Sequence, residues 1–355
     1  MAKTQAYFPG AMGPEGFISC FDHLMEEQTL KRKLILKGGP GVGKSTFMRR
    51  LHAALCAEGE PSTLYFCSGD PDSLDAVSFA HKGLLVLDGT APHVVDPQIP
   101  GARDSIINLG RFLDEAALRP RLAQIKTVMA AHAACTRRAS ACLRAVLPLS
   151  RDNAALIASA IDSSRLDHLV HALIKSALAN CPPAAARAPF PRPVITDAVT
   201  PKGEVCLLSE GVYARVIRLC GPAGMDFTPA LRAVSAAAQA KGGRVFEHLH
   251  PRIPGALLHV SLPDCGLLIT TGEHLASEQL FDLSTCIPHN ALLRHERALE
   301  QGHAAQNLLI QRAVSTLASA KELHDELESF YVPNMDFSLW QKELDEILAS
   351  LRNSP

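Results

Sequence analysis

Residues 33–46 read Lys33-Leu34-Ile35-Leu36-Lys37-Gly38-Gly39-Pro40-Gly41-Val42-Gly43-Lys44-Ser45-Thr46. Leu34 to Leu36 is a short apolar run of the kind that forms a buried strand. Downstream, Phe47, Met48, Leu51, Ala54 and Leu55 recur at helical spacing until Gly59 ends the pattern. A glycine-rich turn is therefore expected between a strand end and a helix start. Glycines let the backbone wrap with several N–H groups pointing inward, and the positive end of the helix dipole falls on the same spot. Such a turn is built for an anion. Within the pattern G-x-x-x-x-G-K-[ST], Gly38, Gly39, Gly41, Val42 and Gly43 shape the cradle and Lys44 reaches the β- and γ-phosphates. Ser45 offers its hydroxyl to Mg2+, and Thr46 can donate to a more distal phosphate. A purely structural turn would need neither the lysine nor the serine.

Phosphoryl chemistry also asks for an acidic residue at the end of a nearby apolar strand. Leu84-Leu85-Val86-Leu87-Asp88 supplies it, so Asp88 is expected to hold the metal together with Ser45. Gly89 follows Asp88, where a water-orienting glutamate would often stand, and the activating group must come from elsewhere. Asp70 and Asp72, after the apolar run Thr63 to Cys67, and His93, five residues beyond Asp88, are the candidates. Arg119, Arg121, Arg137 and Arg138 lie on or beside a long helical segment. A solvated or acid-paired face is the expected place for them, rather than a reach over the phosphates.

By these motifs residues 1–180 resemble the P-loop NTPase superfamily, and the whole chain is similar to a duplicated group of bacterial P-loop ATPase proteins. The narrower resemblance is carried by Lys37 to Thr46, by Asp70-Pro71-Asp72-Ser73-Leu74-Asp75, and by Leu87-Asp88-Gly89-Thr90-Ala91-Pro92-His93. At the other end of the chain it is carried by His324-Asp325-Glu326-Leu327-Glu328 and by Asn334-Met335-Asp336-Phe337. It implies an α/β core and ATP with Mg2+. It does not imply a reaction.

An internal repeat extends this to the second half. Gly13-Pro14-Glu15-Gly16 is echoed by Thr200-Pro201-Lys202-Gly203, the stretch Lys33 to Pro40 by Arg215 to Pro222, and Gly83 to Val86 by Gly266 to Ile269. The proline-rich stretch between Asn180 and Val194 separates the copies. The expected architecture is thus α/β, with two tandem P-loop NTPase-like domains, each a parallel sheet flanked by helices and each carrying a helical hairpin. Residues 1–180 form the ATP-binding domain, 181–194 a linker and 195–355 a degenerate domain. Leu118 to Val146 and the stripe Leu156 to Leu173 make the first hairpin. The stripe Ala313 to Phe330 and Leu344, Ile347, Leu348 and Leu351 make the second. With Gly221 aligned to Gly39, Lys44 becomes Asp226, Ser45 becomes Phe227 and Gly43 becomes Met225, while Asp88 aligns with Thr271. A carboxylate in place of the ammonium would repel phosphate, so loss of the second triphosphate site is expected.

With 35 basic and 36 acidic residues there is no global field for nucleic acid or an anionic membrane. No stretch has the length of uncharged apolar sequence that spans a bilayer, and the first residues contain no apolar signal segment. The ten cysteines form no C-x-x-C pair; they read as small core residues of a cytoplasmic protein, without a disulfide framework. Glu247-His248-Leu249-His250, with His259, Cys265 and His274, matches no strong metal template, and packed or exposed histidines are the expected reading. The functional expectation is a Mg2+-dependent ATPase whose helical hairpins engage a protein partner. A kinase using Asp70 or Asp72 as proton acceptor and an ATP-gated interaction protein are the alternatives. The guanine-reading Thr/Asn-Lys-x-Asp motif is missing, which favours ATP over GTP.

Overall fold

The computed structural model describes residues 4–25, 28–91, 93–179, 181 and 190–353. In the first half the strands are β1 (Gln5–Tyr7), β2 (Gly10–Gly13), β3 (Gly16–Ser19), β4 (Arg32–Lys37), β5 (Thr63–Phe66), β6 (Leu74–Phe79), β7 (Leu84–Asp88) and β8 (Asp104–Asn108). Its helices are α1 (Lys44–Ala57), a one-turn α2 (Glu115–Leu118), α3 (Leu122–Ala158) and α4 (Ser163–Leu178). The second half holds β9 (Arg192–Val194), β10 (Asp197–Thr200), β11 (Gly203–Cys206), β12 (Arg215–Cys220), β13 (Phe246–Leu249), β14 (Leu257–Leu262), β15 (Leu267–Thr270) and β16 (Gln279–Asp282). Helices α5 (Thr228–Ala240), α6 (Glu296–Tyr331) and α7 (Phe337–Asn353) complete it.

The duplication is visible in the topology. One six-stranded sheet runs β1-β5-β6-β7-β4-β8 and the other runs β9-β13-β14-β15-β12-β16, the same order element for element. The sequence led us to expect parallel sheets, and neither sheet is wholly so. β6 is antiparallel to both β5 and β7, and β14 is antiparallel to both β13 and β15. The short connections explain this: a return over so few residues makes a hairpin, whereas a parallel step needs a crossover. The linker expected over 181–194 ends earlier than supposed. Residues 182–189 lie outside the described residues, and Arg192–Val194 pair with β13 as an edge strand. Pro193 is accommodated there because an edge strand leaves one side of its ladder unpaired.

The expected hairpins within each half are not formed. The long helices α3 and α6, 37 and 36 residues, run antiparallel against each other. Ile125 and Val128 meet Leu327 at one end, Ala139 and Leu143 meet Ala313 and Leu317 in the middle, and Ser150 Oγ donates to Gln306 Oε1 further on. At 1.5 Å per residue each helix spans about 55 Å, so only the other long stripe can bury its full length. The short amphipathic helices go to the sheets instead, and they cross over. Trp340, Leu344, Ile347 and Leu351 of α7 join Phe47, Met48 and Leu51 of α1 on the first sheet. Leu173, Ala177 and Leu178 of α4 join Leu231 and Val234 of α5 on the second. Burying the four α7 side chains contributes on the order of 6–12 kcal/mol to a core whose strands are some 250 residues away in sequence. Asp336 Oδ1 caps that helix by accepting from the Ser338 and Leu339 amides.

The opposite sheet faces meet through Tyr7, Tyr65, Ala76, Val194 and Phe246, and the Phe8 amide donates to the Ile195 carbonyl. One disulfide, Cys181–Cys265, ties the end of α4 to the second half, contrary to the expectation that the cysteines are unpaired. The C-x-x-C test missed it because the two cysteines are 84 residues apart in sequence. Among the described residues no helix is long and apolar enough to cross a membrane.

Candidate functional site

β4 ends at Lys37 and α1 begins at Lys44, so the glycine-rich turn stands between strand and helix at one end of the first sheet. Gly41 and Gly43 adopt φ of 71° and 81°, the left-handed region that glycine enters without strain. A Cβ on Gly38 would lie 2.6 Å from Val42 Cγ2, and Val42 is wholly buried in the first core. The turn is thereby anchored by a side chain that points away from any ligand.

Lys44 folds back over the loop. Its Nζ donates to the Gly38 and Gly39 carbonyls at 2.7 and 2.9 Å and stands 3.5 Å from Asp88 Oδ2. The pairing of β4 with β7 places Asp88 opposite Leu36, which brings the carboxylate to the loop side of the sheet. Asp88 Oδ1 accepts from the Thr90 amide and hydroxyl, a local turn that holds the other oxygen toward Lys44. Ser45 Oγ accepts from the Leu74 amide at 2.9 Å, fastening the start of α1 to β6. Thr46 is exposed on α1.

Two carboxylates and an imidazole converge beside Lys44. Asp75, Asp88 and His93 each present an atom within 4.8 Å of the others. Burial, and after it the Asp88 charge, pushes the Asp75 carboxyl up to about 7. Burial holds His93 below its usual range, so its ring is neutral at physiological pH. The ring stacks on Phe21 with centroids 4.2 Å apart, and neither of its nitrogens has a hydrogen-bond partner. A neutral imidazole and a carboxyl poised near neutrality can each take or give a proton.

The candidates Asp70 and Asp72 are not brought into this group. Asp70 closes its own turn by accepting from Ser73 Oγ at 3.0 Å and pairs with Lys321 of α6 at 3.5 Å. Asp72 is exposed and pairs with Lys202 from the turn of the β10–β11 hairpin. The arginines also stay on helix surfaces. Arg119 pairs with Glu115, Arg121 stacks over Phe330 and Arg138 donates to Cys135.

Glu328 and Asp75 are the neighbours that sequence reasoning did not assign. Glu328, near the end of α6, accepts from the Gly41 amide at 3.2 Å, so a carboxylate oxygen already rests on a loop N–H. The His324 ring, ahead of the Gly41 amide, keeps this carboxyl below the ordinary glutamate range. Tyr331, Val332 and Trp340 close over Gly39, Gly41 and Gly43. Glu328 lay within a stretch the resemblance had singled out, but nothing local ties residue 328 to residue 41. Asp75 carried a clearer signal, an acid within the otherwise apolar run Leu74-Asp75-Ala76-Val77.

The second loop corrects the alignment by one residue. A Cβ on Gly221 would lie 2.6 Å from Met225 Sδ, the relation of Gly38 to Val42, and Gly224 has φ 84° where Gly41 has 71°. Thr228 Oγ1 accepts from the Leu257 amide at 3.1 Å, the counterpart of Ser45 and Leu74. Lys44 therefore corresponds to Phe227, Gly43 to Asp226 and Ser45 to Thr228. Asp226 accepts from the Thr228 amide at the helix start, and Phe227 packs into the second core. The ammonium is replaced by a phenyl ring rather than by a carboxylate, and the hydroxyl is kept.

Comparisons with protein-family models, with curated proteins and with solved structures each found nothing that matches this chain.

Proposed function

We propose that the first half binds ATP with Mg2+ at residues 38–46 and hydrolyses it, and that the second half has lost the nucleotide site. The observation that carries this reading is the Glu328 carboxylate accepting from the Gly41 amide, in the loop over which Lys44 folds back. The turn offers a loop amide to an anionic oxygen and carries an ammonium bonded to its own carbonyls, the two parts a phosphate cradle needs. Lys44 exchanges its two loop carbonyls for phosphate oxygens, and the glycine amides direct their hydrogens to the same group. Ser45 and Asp88 would hold the Mg2+, which supplies charge neutralisation to the phosphates. Asp75 and His93 flank Asp88 and are the groups able to accept the proton of an attacking water, the role left open by Gly89.

Phosphate on the Gly41 amide competes with Glu328. Nucleotide uptake therefore loosens the end of α6, and the α3–α6 pair carries that change to the second half. The kinase alternative relied on Asp70 or Asp72 as proton acceptor, and both are engaged in ion pairs with lysines. The test is calorimetry of the pure chain with ATP, with and without Mg2+, followed by ADP release. Magnesium-assisted uptake of one ATP per chain and slow acceptor-independent ADP formation are expected. No uptake of ATP or GTP would remove the proposal, and ADP formed only with an added metabolite would turn it toward a kinase.

A further inference from the structure

We propose that the second half carries a zinc site formed by Asp197, Cys206, His259 and His274. Asp197 opens β10 and Cys206 closes β11, and the two residues face each other across the hairpin ladder. His259 comes from β14 and His274 from the turn after β15, so four elements supply one donor each. Asp197, Cys206 and His259 present donor atoms all within 4.8 Å of one another. His259 Nε2 is 2.9 Å from Asp197 Oδ2, and His274 Nε2 is 3.2 Å from Cys206 Sγ. In a tetrahedral site with bonds near 2.1 Å, neighbouring donors lie about 3.4 Å apart, so each of these two pairs opens by only a few tenths of an ångström. His274, which touches Cys206 but stands outside the group of three that converges within 4.8 Å, swings in to complete the set.

The surroundings orient the donors. In the metal-free chain His259 Nε2–H donates to Asp197 Oδ2 at 2.9 Å, and a bound ion would displace that proton. Thr270 Oγ1, 2.8 Å from Nδ1, has a lone pair left to accept from an Nδ1–H in the metal-bound tautomer. Thr196 Oγ1 donates to Asp197 Oδ2, leaving Oδ1 without that bond. A Cβ on Gly272 would lie 2.8 Å from the His274 ring, so glycine at this turn is what lets the ring fold back onto Cys206. His274 is exposed and His259 is buried, which gives the ion a route in from solvent.

The first half provides an internal control. By the registers of the two hairpins and the two sheets, Asp197 and Cys206 correspond to Gly10 and Ser19, and His259 and His274 to Ala76 and Ala91. The orienting Thr270 corresponds to Leu87. No donor of the cluster has a counterpart, and one shared task explains four such differences better than four separate ones. One sulfur, two imidazole nitrogens and a carboxylate oxygen are a borderline-soft set that suits Zn2+ over Mg2+ or Ca2+. The ion would pin the β10–β11 hairpin to its sheet, and Val199 of that hairpin packs against Ala139, Leu143, Ala313 and Leu317 of the long helices. The site thus fixes the second half's grip on the α3–α6 pair. Its spacing along the chain fits no short template, so it was not legible as a motif.

The test is Co2+ titration of the full chain after chelator treatment, followed by displacement with Zn2+. One Co2+ per chain with a thiolate-to-cobalt charge-transfer band, bleached by equimolar Zn2+, is expected. Cys206→Ala should abolish the band, and His274→Ala, an exposed ring whose loss leaves the core intact, should weaken Co2+ uptake at least about tenfold. Zn2+ should raise the thermal midpoint of the wild-type chain over that in chelator. A folded wild-type chain with no band and no Zn2+-dependent midpoint would reduce the cluster to an Asp197–His259 hydrogen bond and overturn the proposal. A band that survives Cys206→Ala would do so as well. Should Cys206→Ala fail to fold, His274→Ala decides, and uptake unchanged in that variant overturns the site.

Discussion

The loops at residues 38–45 and 221–228 share their anchoring contacts and differ in chemistry. Both place a left-handed glycine at the fourth position, both bury the fifth side chain under the first glycine, and both end in a hydroxyl that accepts from the next strand's amide. They part at the sixth position, where Gly43 has φ 81° and Asp226 does not enter that region, at the seventh, where one has Lys44 and the other Phe227, and at the carboxylate of Asp88, replaced by Thr271. What holds the turn together is therefore separable from what would hold a phosphate. The serine hydroxyl belongs partly to the first category, since Thr228 keeps the same bond with no lysine beside it.

The largest expected effect breaks the comparison at that position. Lys44→Ala should weaken ATP uptake by at least about 100-fold, since it removes charge-assisted bonds worth about 3 kcal/mol. Phe227→Ala should leave affinity and stoichiometry as they are. Isothermal calorimetry on the two variants decides it. Equal losses would mean that the second loop takes part in binding and that the halves are not divided as proposed.

The crossover of the short helices sharpens the comparison between the two cores. Leu344 of α7 is wholly enclosed in the first core and Leu173 of α4 in the second. Each truncation to alanine should cost about 2–5 kcal/mol. The informative readout is where the loss falls. Leu344→Ala should raise amide exchange in α1, and Leu173→Ala in α5. If Leu344→Ala instead loosened α5, helix α7 would belong to the half in which it is encoded.

The buried titratable groups give the two halves opposite pH responses. Asp75, pushed up to about 7 by burial and the Asp88 charge, keeps its proton in the folded chain when the unfolded chain has released it. The folded state then binds more protons, so stability falls as pH rises from about 4 to 7. His248, held between the Thr196 and Ser261 hydroxyls, is lowered to about 3 by burial, so the unfolded chain takes the proton first. Stability from this group is lost as pH falls from about 6.5 toward 3. Asp75→Asn should stabilise the ligand-free chain near about pH 8 by on the order of 4 kcal/mol, with the gain vanishing near about pH 4. Urea unfolding at the two pH values measures this. A gain of the same size at both would place the Asp75 cost outside ionisation.

How far the sequence could be read follows the same division between local and distant. The turn from Lys37 to Ser45 and its flanking elements are local, written in glycines, a lysine and two periodicities, and they appear where expected. The place of Asp88 was legible from an acid that ends an apolar strand, and the structure sets it 3.5 Å from Lys44 while also giving it the local turn bonds to Thr90. Leu74–Phe79 was passed over because an acid at Asp75 and a serine at Ser78 interrupt its apolar pattern, although every residue of the strand is buried. The partner of each long helix was not legible either. An apolar stripe states that it must be covered and not by what, and only the matched lengths of α3 and α6 select each other. The one-residue error in the second loop came from aligning glycines, whereas the structure aligns the hydroxyl that ties helix to strand.

Glu328 bears on the comparison most gently. The Gly41 amide donates to its carboxylate, whereas a Cβ on the equivalent Gly224 would meet His303, Asn153 and Ile157. If the carboxylate competes with phosphate for that amide, Glu328→Gln keeps an oxygen acceptor in place but removes the charge that makes the bond strong. ATP should then bind about 3–10-fold more tightly, the equivalent of roughly 1 kcal/mol. The same variant should bring α6 closer to its nucleotide-bound state without nucleotide, seen as faster amide exchange at its C-terminal end. Weaker ATP binding in Glu328→Gln would give the opposite reading. The carboxylate would then belong to the bound site, and the second half would contribute to the chemistry rather than yield to it.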